Sequence, residues 1–138
     1  MENLLFVRLG WAAAIVVTGV ALYLLINRMI LARSPRHSAS QAGIQPGKPA
    51  ILYFTTPDCS PCKTVQRPAL QHLRDRLGDE LQIIEINAVD QPELARAWHV
   101  LSVPTTFVID AEGQPRHVNH GIAGVDKLHQ QIRQINSL

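Results

Sequence analysis

The two cysteines of this 138-residue chain lie three positions apart, as Cys59-Ser60-Pro61-Cys62, between a short apolar run and a helical pattern. The apolar run, residues 50–54, precedes the pair, and the helical pattern begins at its serine. A thiol in the first turn of a helix lies near unpaired backbone amides and the positive end of the helix dipole, which stabilise its thiolate. Cys62, one turn later on the same face, is placed to attack a mixed disulfide formed at Cys59. The pattern therefore predicts redox chemistry.

A proline marks a second element, 42 residues after Cys62, where Ser102-Val103-Pro104 leads into the β-branched strand pattern of residues 105–109. A Cys-x-x-Cys pair alone also occurs in zinc sites and haem-attachment sites. Together with the Val103-Pro104 step and the order of the elements between them, it makes the chain resemble the thioredoxin superfamily over about residues 48–136. The resemblance implies an α/β, thioredoxin-like fold, with a central mixed sheet and flanking helices.

Periodicity predicts the elements of this fold in the order strand, helix, strand, helix, strand, strand, helix. The strands are predicted at residues 50–55, 81–88, 105–109 and 116–119, and the helices at 60–77, 92–98 and 125–135. Gly78 is the predicted C-cap of the first of these helices. Pro68 should bend that helix, and because thioredoxin-like helices usually carry such a proline one residue nearer the second cysteine, we expect a shifted bend. Compared with full thioredoxins, the first strand and helix are missing from the pattern.

An uncharged apolar run, residues 9–26, precedes the domain. Its 18 residues span about 27 Å as a helix, close to the hydrocarbon thickness of a bilayer. Trp11 and Tyr23 lie near its two ends, as aromatic residues do at membrane interfaces. We therefore predict a transmembrane anchor at residues 1–31, a flexible linker at 32–47 and the thioredoxin-like domain at 48–138. A cleaved secretory signal is the alternative, but the apolar core is long for one and no small-x-small cleavage site follows it closely.

The formal net charge of +2 is unevenly distributed. Residues 1–47 carry +3, from four arginines and one glutamate, whereas residues 48–138 carry −1. The basic excess thus belongs to the segment that flanks the apolar run, and nothing in the domain indicates a nucleic-acid surface. Three arginines follow the run and one precedes it, so the positive-inside tendency favours a cytoplasmic domain. The resemblance favours the other side, because anchored bacterial thioredoxin-like domains commonly act on exported thiols. We slightly favour the extracytoplasmic face, and the cytoplasmic face stays open.

By resemblance, Cys59 is the attacking thiol and Cys62 is the resolving thiol, shielded one turn deeper. Pro61 fits the first helical turn, where its missing N–H costs nothing. A zinc site is the alternative for two cysteines, but zinc takes four ligands, and the six histidines are scattered without a convincing ligand spacing. The predicted redox group is the Cys59–Cys62 disulfide itself, with no cofactor and no metal.

Pro104, by resemblance, is a cis-proline that faces the disulfide, and Val103 before it offers backbone groups to an extended substrate segment. The alternative is an ordinary trans-proline at the start of an edge strand. Gly121, ahead of the last helix, matches a glycine that leaves room for substrate in the family. A turn glycine explains that position equally well.

Three positions depart from the family pattern. Asp58 replaces the usual tryptophan before the first cysteine, and its charge should oppose a thiolate there, an effect that Lys63 partly offsets. Tyr53 occupies the position of the family's buried aspartate, and the usual lysine partner of that aspartate falls on Glu85. We therefore predict a semi-buried Glu85 that takes the proton of Cys62 when this thiol attacks. A glutamate that merely points to solvent at a strand edge is the alternative.

These residues together predict a membrane-tethered thiol-disulfide oxidoreductase that reduces protein disulfides through its dithiol. The resemblance implies an electron donor as well: a membrane thiol transporter if the domain lies outside the cytoplasm, or thioredoxin reductase if it lies inside. A non-catalytic module, or one that handles copper through its two soft thiolates, is the rival from another class. A disulfide oxidant or isomerase would differ from the reductase only in its reduction potential.

Overall fold

The computed structural model of the protein describes residues 2–33 and 40–137. The chain divides into two compact units, residues 1–30 and residues 31–138. The first unit is a helix, and the second contains the sheet and the two cysteines. We describe each unit by itself.

Helix α1, Glu2–Arg33, forms the first unit and continues beyond the predicted apolar run at both ends. Its segment Val7–Ile30 has a mean hydropathy of 2.2 and is long enough to cross a bilayer. Large apolar side chains along it are exposed, among them Trp11 at 70% and Ile15 at 68%, as they would be in a helix whose solvent is lipid. A signal sequence near an N-terminus would meet the same criterion, so the membrane anchor stays a prediction.

A four-stranded mixed sheet in the order β2-β1-β3-β4 forms the centre of the second unit. Strand β1, Ala50–Thr55, is buried at all six positions, which fits its continuous apolar sequence. It pairs in parallel with β2, Gln82–Asn87, and antiparallel with β3, Thr105–Ile109. Strand β4, Pro115–His120, completes a hairpin with β3. The predicted order of elements along the chain and the predicted mixed sheet are confirmed.

Three α-helices within residues 50–137 flank this sheet: α2, Arg67–Leu77; α3, Pro92–Ala97; and α4, Val125–Asn136. Helical structure already begins at residue 60, as predicted, and Gly78 ends α2 with a φ of 50°. Side chains of α2 and α4 pack with β1 in one core cluster, whose buried members include Ile51, Leu73 and Leu128. Trp98, directly after α3, packs edge-on against Phe107 of β3, with the ring centroids 4.9 Å apart.

A π-helical turn, Cys62–Gln66, precedes α2. The N–H of Arg67 donates to the carbonyl of Cys62, five residues earlier, rather than to the residue four earlier. Such a turn contains one residue more than an α-helical turn. It therefore accommodates the one additional residue that this chain has between the second cysteine and Pro68, compared with the family pattern. Pro68 then lies in the first turn of α2, where a missing N–H is tolerated. At the place where the sequence predicts a shifted bend, the structure has this π-helical turn.

The predicted linker, residues 32–47, lies only partly within the described residues, because 34–39 fall outside them. In its second half Ala42 and Ile44 are buried. The N–H of Gln45 donates to the side chain of Gln82 at 2.9 Å, and the N–H of Gly47 donates to the carbonyl of Ala111 at 2.8 Å. Residues 40–47 are thus attached to the domain, and the boundary expected at residue 48 falls inside a packed segment.

Candidate functional site

Cys59 and Cys62 form a disulfide, with their Cα atoms 5.3 Å apart, where the chain leaves β1 and turns into the helix. Cys59 retains 8% of its surface and Cys62 retains none. The backbone N–H of Cys62 donates to the Sγ of Cys59 at 3.3 Å. A hydrogen bond of this kind stabilises negative charge on the accepting sulfur. The less buried of the two cysteines is therefore also the one whose sulfur accepts a backbone N–H.

The peptide bond between Val103 and Pro104 is cis, as the resemblance implied. Val103 packs against the core cluster that contains both cysteines. Because β1 and β3 run antiparallel and Phe54 pairs with Thr105, this loop and the disulfide lie at the same end of the sheet. Gly121 lies beside the loop, because its N–H donates to the carbonyl of Pro104 at 2.8 Å. Its φ of +89° lies in the region that favours glycine. The structure therefore brings these three predicted residues together with the disulfide.

Tyr53 lies beneath the disulfide, fully buried in the same cluster as the two cysteines. Its hydroxyl donates to the carbonyl of Cys62 at 3.4 Å. Burial raises the pKa of Tyr53, an effect to which the charge of Glu85 adds, while a hydrogen bond with Thr55 and the charge of Arg67 lower it. The group that hydrogen-bonds the backbone of Cys62 is therefore a neutral phenol at physiological pH.

Glu85 lies next to Tyr53 in the paired register of β2 and β1, but the expectation that it is semi-buried is wrong. Its side chain is 42% exposed and pairs with Arg67, with a contact of 2.5 Å between Nη2 and Oε1. The ion pair raises the pKa of Arg67. The physical reason is the edge position of β2, which leaves this carboxylate in water beside a cation from the helix. The proton-accepting role of Glu85 stays a prediction.

The remaining predicted supporting residues, Asp58, Pro61 and Lys63, are exposed. Solvent screens the charge of Asp58, so its repulsion of a thiolate at the neighbouring cysteine is weaker than between buried charges. Lys63 and Arg67 line an open cleft beside the disulfide loop, together with Thr56 and Pro57. The surface next to the active-site helix is thus polar and of mixed charge.

Gln66 belongs to the site although its sequence pattern did not single it out. It is fully buried at the end of the π-helical turn. Its Nε2 donates to the carbonyl of Ala123 at 3.1 Å, and its Oε1 accepts the N–H of Ala123 at 2.8 Å. The one signal in the sequence was the longer spacing between Cys62 and Pro68. Nothing in the sequence pointed to Ala123, 57 residues away, as the partner.

Within residues 2–33 and 40–137, no three His, Cys, Asp or Glu side chains lie close enough together to hold a metal ion. His117 is partly buried on β4, and burial lowers its pKa, helped by the nearby charge of Lys127.

The family model described as "Thioredoxin" matches residues 37–134. The chloroplastic thioredoxin Y of Oryza sativa is 32% identical over 85 residues, which are 62% of this chain and 49% of that protein. A thioredoxin-like protein of Synechocystis is 29% identical over 86 residues, 62% of this chain and 80% of that one. The chain thus spans about half the length of the rice relative and four fifths of the cyanobacterial one.

Among solved structures, the oxidised mitochondrial thioredoxin 3 of Saccharomyces cerevisiae superposes with a TM-score of 0.57 at 22% identity. The match covers 65% of this chain and 80% of the yeast chain. At this identity the likeness shows a common fold.

Proposed function

The chain belongs to the thioredoxin family, and on that premise we propose that it is a membrane-anchored thiol-disulfide oxidoreductase that reduces disulfides of protein substrates. The observation that carries the proposal is the difference between the two cysteines: Cys59 keeps 8% of its surface exposed and its Sγ accepts an amide N–H, whereas Cys62 is fully buried. A nucleophile needs access and charge stabilisation, and a resolving thiol needs protection from competing reactions.

In the first step, the Cys59 thiolate of the reduced enzyme attacks one sulfur of the substrate disulfide. A new S–S bond joins Cys59 to the substrate as the substrate's own S–S bond breaks, and the released sulfur leaves as a thiolate that takes up a proton. The N–H of Cys62, which hydrogen-bonds the Cys59 sulfur, stabilises the attacking thiolate before the bond forms.

In the second step, Cys62 loses its proton and attacks the Sγ of Cys59. The Cys59–Cys62 disulfide forms, the mixed disulfide breaks, and the second substrate sulfur leaves as a thiol after protonation. Two electrons have then passed from the enzyme dithiol to the substrate. The short separation of the pair, with Cα atoms 5.3 Å apart, makes this step intramolecular and therefore fast.

The substrate would lie along the loop that contains Val103 and Pro104. An extended segment of the substrate could pair with the backbone before the cis bond, as a strand added to the exposed loop. Gly121, bonded to the carbonyl of Pro104, leaves open space beside it, because a Cβ built there would meet no atom within 4 Å. This open space fits a glycine that admits the substrate.

Reduction of the purified full chain in detergent micelles tests the proposed activity. With dithiothreitol as the donor, the wild type should reduce insulin, Cys59→Ser should be inactive, and Cys62→Ser should accumulate a mixed disulfide with the substrate. A Cys59→Ser variant that retains full activity would overturn the proposal. A wild type that retains copper through dialysis but does not turn over insulin would support the copper-handling rival instead.

The anchor and the electron donor are part of the proposal and need a separate test. The apolar segment Val7–Ile30 supports a single membrane span, and the family resemblance favours a domain outside the cytoplasm with a membrane thiol transporter as donor. Labelling of Cys59 in intact cells with a membrane-impermeant thiol reagent, after mild reduction, should modify the protein. Labelling only after lysis would place the domain in the cytoplasm, with thioredoxin reductase as the donor.

The predicted role of Glu85 has its own test. If this carboxylate takes the proton of Cys62, Glu85→Gln should slow the resolution step and change its dependence on pH. The matched control is Arg67→Gln, which breaks the same ion pair but keeps the carboxylate. An unchanged single-turnover rate and pH profile in Glu85→Gln would remove the role.

A further inference from the structure

The side-chain amide of Gln66 pairs with the backbone of Ala123 through two hydrogen bonds, in the way that one strand pairs with another. Ala123 is fully buried, and so is Gln66. The two bonds, of 3.1 Å and 2.8 Å, satisfy both the C=O and the N–H of Ala123. Since neither group reaches water in this position, the loss of the Gln66 amide would leave a buried peptide group without partners.

The loop at residues 121–123 is held at both ends. Gly121 is bonded to the carbonyl of Pro104, and Ala123 is bonded to Gln66 on the active-site helix. Between these two anchors, Ile122 exposes 48% of its surface. An apolar side chain displayed between two fixed peptide groups, next to the cis-proline loop, is positioned for contact with a bound partner.

The π-helical turn explains why Gln66 can act in this way. The turn places Gln66 on the buried side of the helix with Cys62, and α2 continues that side through Leu70 and Leu73. A glutamine in this row is the polar exception among buried apolar residues, and its amide reaches the backbone of Ala123 in the 121–123 loop. Wide turns of this type are frequent at functional sites.

We propose that Gln66 is a positioning residue: its amide holds the 121–123 loop against the active-site helix, so that Ile122 and Gly121 are pre-ordered to receive an extended segment of a protein substrate. This inference rests on the proposed function and adds to it the part of the site that distinguishes protein disulfides from small ones. A protein substrate contacts the loop, whereas a small disulfide needs only the Cys59 sulfur. The pre-ordered loop lowers the entropy lost on binding of the larger substrate.

The test compares two variants of the full chain in detergent micelles. Gln66→Met keeps the size of the side chain and removes both hydrogen bonds to Ala123. Gln131→Met is the matched control, because the amide of Gln131 also makes a reciprocal pair of hydrogen bonds, of 2.9 Å and 3.1 Å, but with the side chain of Asn119. The measurements are KM and kcat for insulin, the second-order rate with the small disulfide dithiobis(nitrobenzoate), and hydrogen exchange at the Ala123 amide.

We expect Gln66→Met to raise the KM for insulin about tenfold, with kcat and the small-disulfide rate within about twofold of wild type. Exchange at the Ala123 amide should accelerate by about tenfold or more, because its hydrogen bond is lost. Gln131→Met should change none of these quantities. Gln66→Glu keeps the acceptor for the Ala123 N–H and should give an intermediate KM; it also serves if the methionine variant does not fold.

Faster exchange at Ala123 with an unchanged KM for insulin would overturn the inference and leave the proposed function intact. An equal loss of rate with insulin and with the small disulfide would also overturn it, because the residue would then act on the cysteines or on the fold. A wild type that reduces neither disulfide would overturn the proposed function, and the inference with it.

Discussion

Replacement of Gly121 by alanine should weaken substrate binding while it leaves the cysteines untouched. The φ of Gly121 is +89°, a conformation that strains any residue with a Cβ. A Cβ at this position would meet no protein atom within 4 Å, so the substitution adds strain but no internal clash. The new methyl group would occupy the open space beside Pro104, where we propose that the substrate lies.

The magnitude follows from two opposing effects. A non-glycine residue in the left-handed region costs about 1–2 kcal/mol, and the smaller entropy of the unfolded alanine chain offsets about 0.4–1 kcal/mol of this. The net loss in the free energy of unfolding is therefore about 1 kcal/mol, or about 4–8 °C in Tm for a domain of this size. A loss this small leaves the domain folded at the temperature of an activity assay.

Gly113 offers a control that matches this change in every respect except position. Its φ is +79°, a Cβ there would also meet nothing within 4 Å, and its N–H donates to the carbonyl of Asp110 at 3.0 Å. It lies in the β3–β4 turn, at the other end of β3 from Pro104. Gly113→Ala should therefore show the same loss of stability with no effect on substrate.

Urea denaturation and steady-state reduction of insulin measure the two quantities. We expect equal stability losses in the two variants, and a KM raised about three- to tenfold in Gly121→Ala alone. An unchanged KM in Gly121→Ala would refute the placement of the substrate beside Pro104. Equal increases in both variants would show that the effect comes from strain in the fold rather than from the site.

Three further predictions follow from burial and charge. After reduction, iodoacetamide should alkylate Cys59 at least about tenfold faster than the fully buried Cys62, as measured by mass spectrometry. Faster alkylation of Cys62 would exchange the proposed roles of the two cysteines. Glu85→Gln should lower the free energy of unfolding by less than about 1 kcal/mol, because the ion pair with Arg67 is exposed. The difference from the wild type should shrink in 1 M salt, and a larger loss that does not depend on salt would contradict this prediction. Burial lowers the pKa of His117 in the folded state below its unfolded value of 6.5. As the pH falls, the unfolded state therefore binds the proton first, and the free energy of unfolding should decrease as the pH drops through about 6.5. His117→Gln should flatten this slope in urea titrations between pH 7.5 and 5, and an equal slope in both proteins would contradict the assignment.

The sheet and the helices could be predicted from the sequence because the spacing of their apolar residues differs between strands and helices. Strand β1 reads as an unbroken apolar run, and α4 repeats its apolar residues at helical spacing, so both were placed to within a residue or two. The cis bond before Pro104 and the pairing of the cysteines came from the resemblance rather than from periodicity.

Contacts that depend on three-dimensional neighbours could not be predicted in the same way. Glu85 was expected to be semi-buried because of the position it occupies in the family pattern, but the edge of the sheet and the neighbouring Arg67 determine its exposure. The longer spacing between Cys62 and Pro68 did not identify the partner of Gln66, because that partner is a backbone group 57 residues later. The attachment of residues 40–47 was missed because a composition rich in small and polar residues says nothing about specific hydrogen bonds.

The hydrogen bond from Gly47 to Ala111 sets the direction from which the polypeptide enters the domain. The chain arrives at the beginning of β1, while the disulfide follows the end of that strand, about 17 Å away along six extended residues. The point of entry and the two cysteines thus lie at opposite ends of β1. Residues 40–47 therefore join the domain at the end of this strand that lies away from the disulfide.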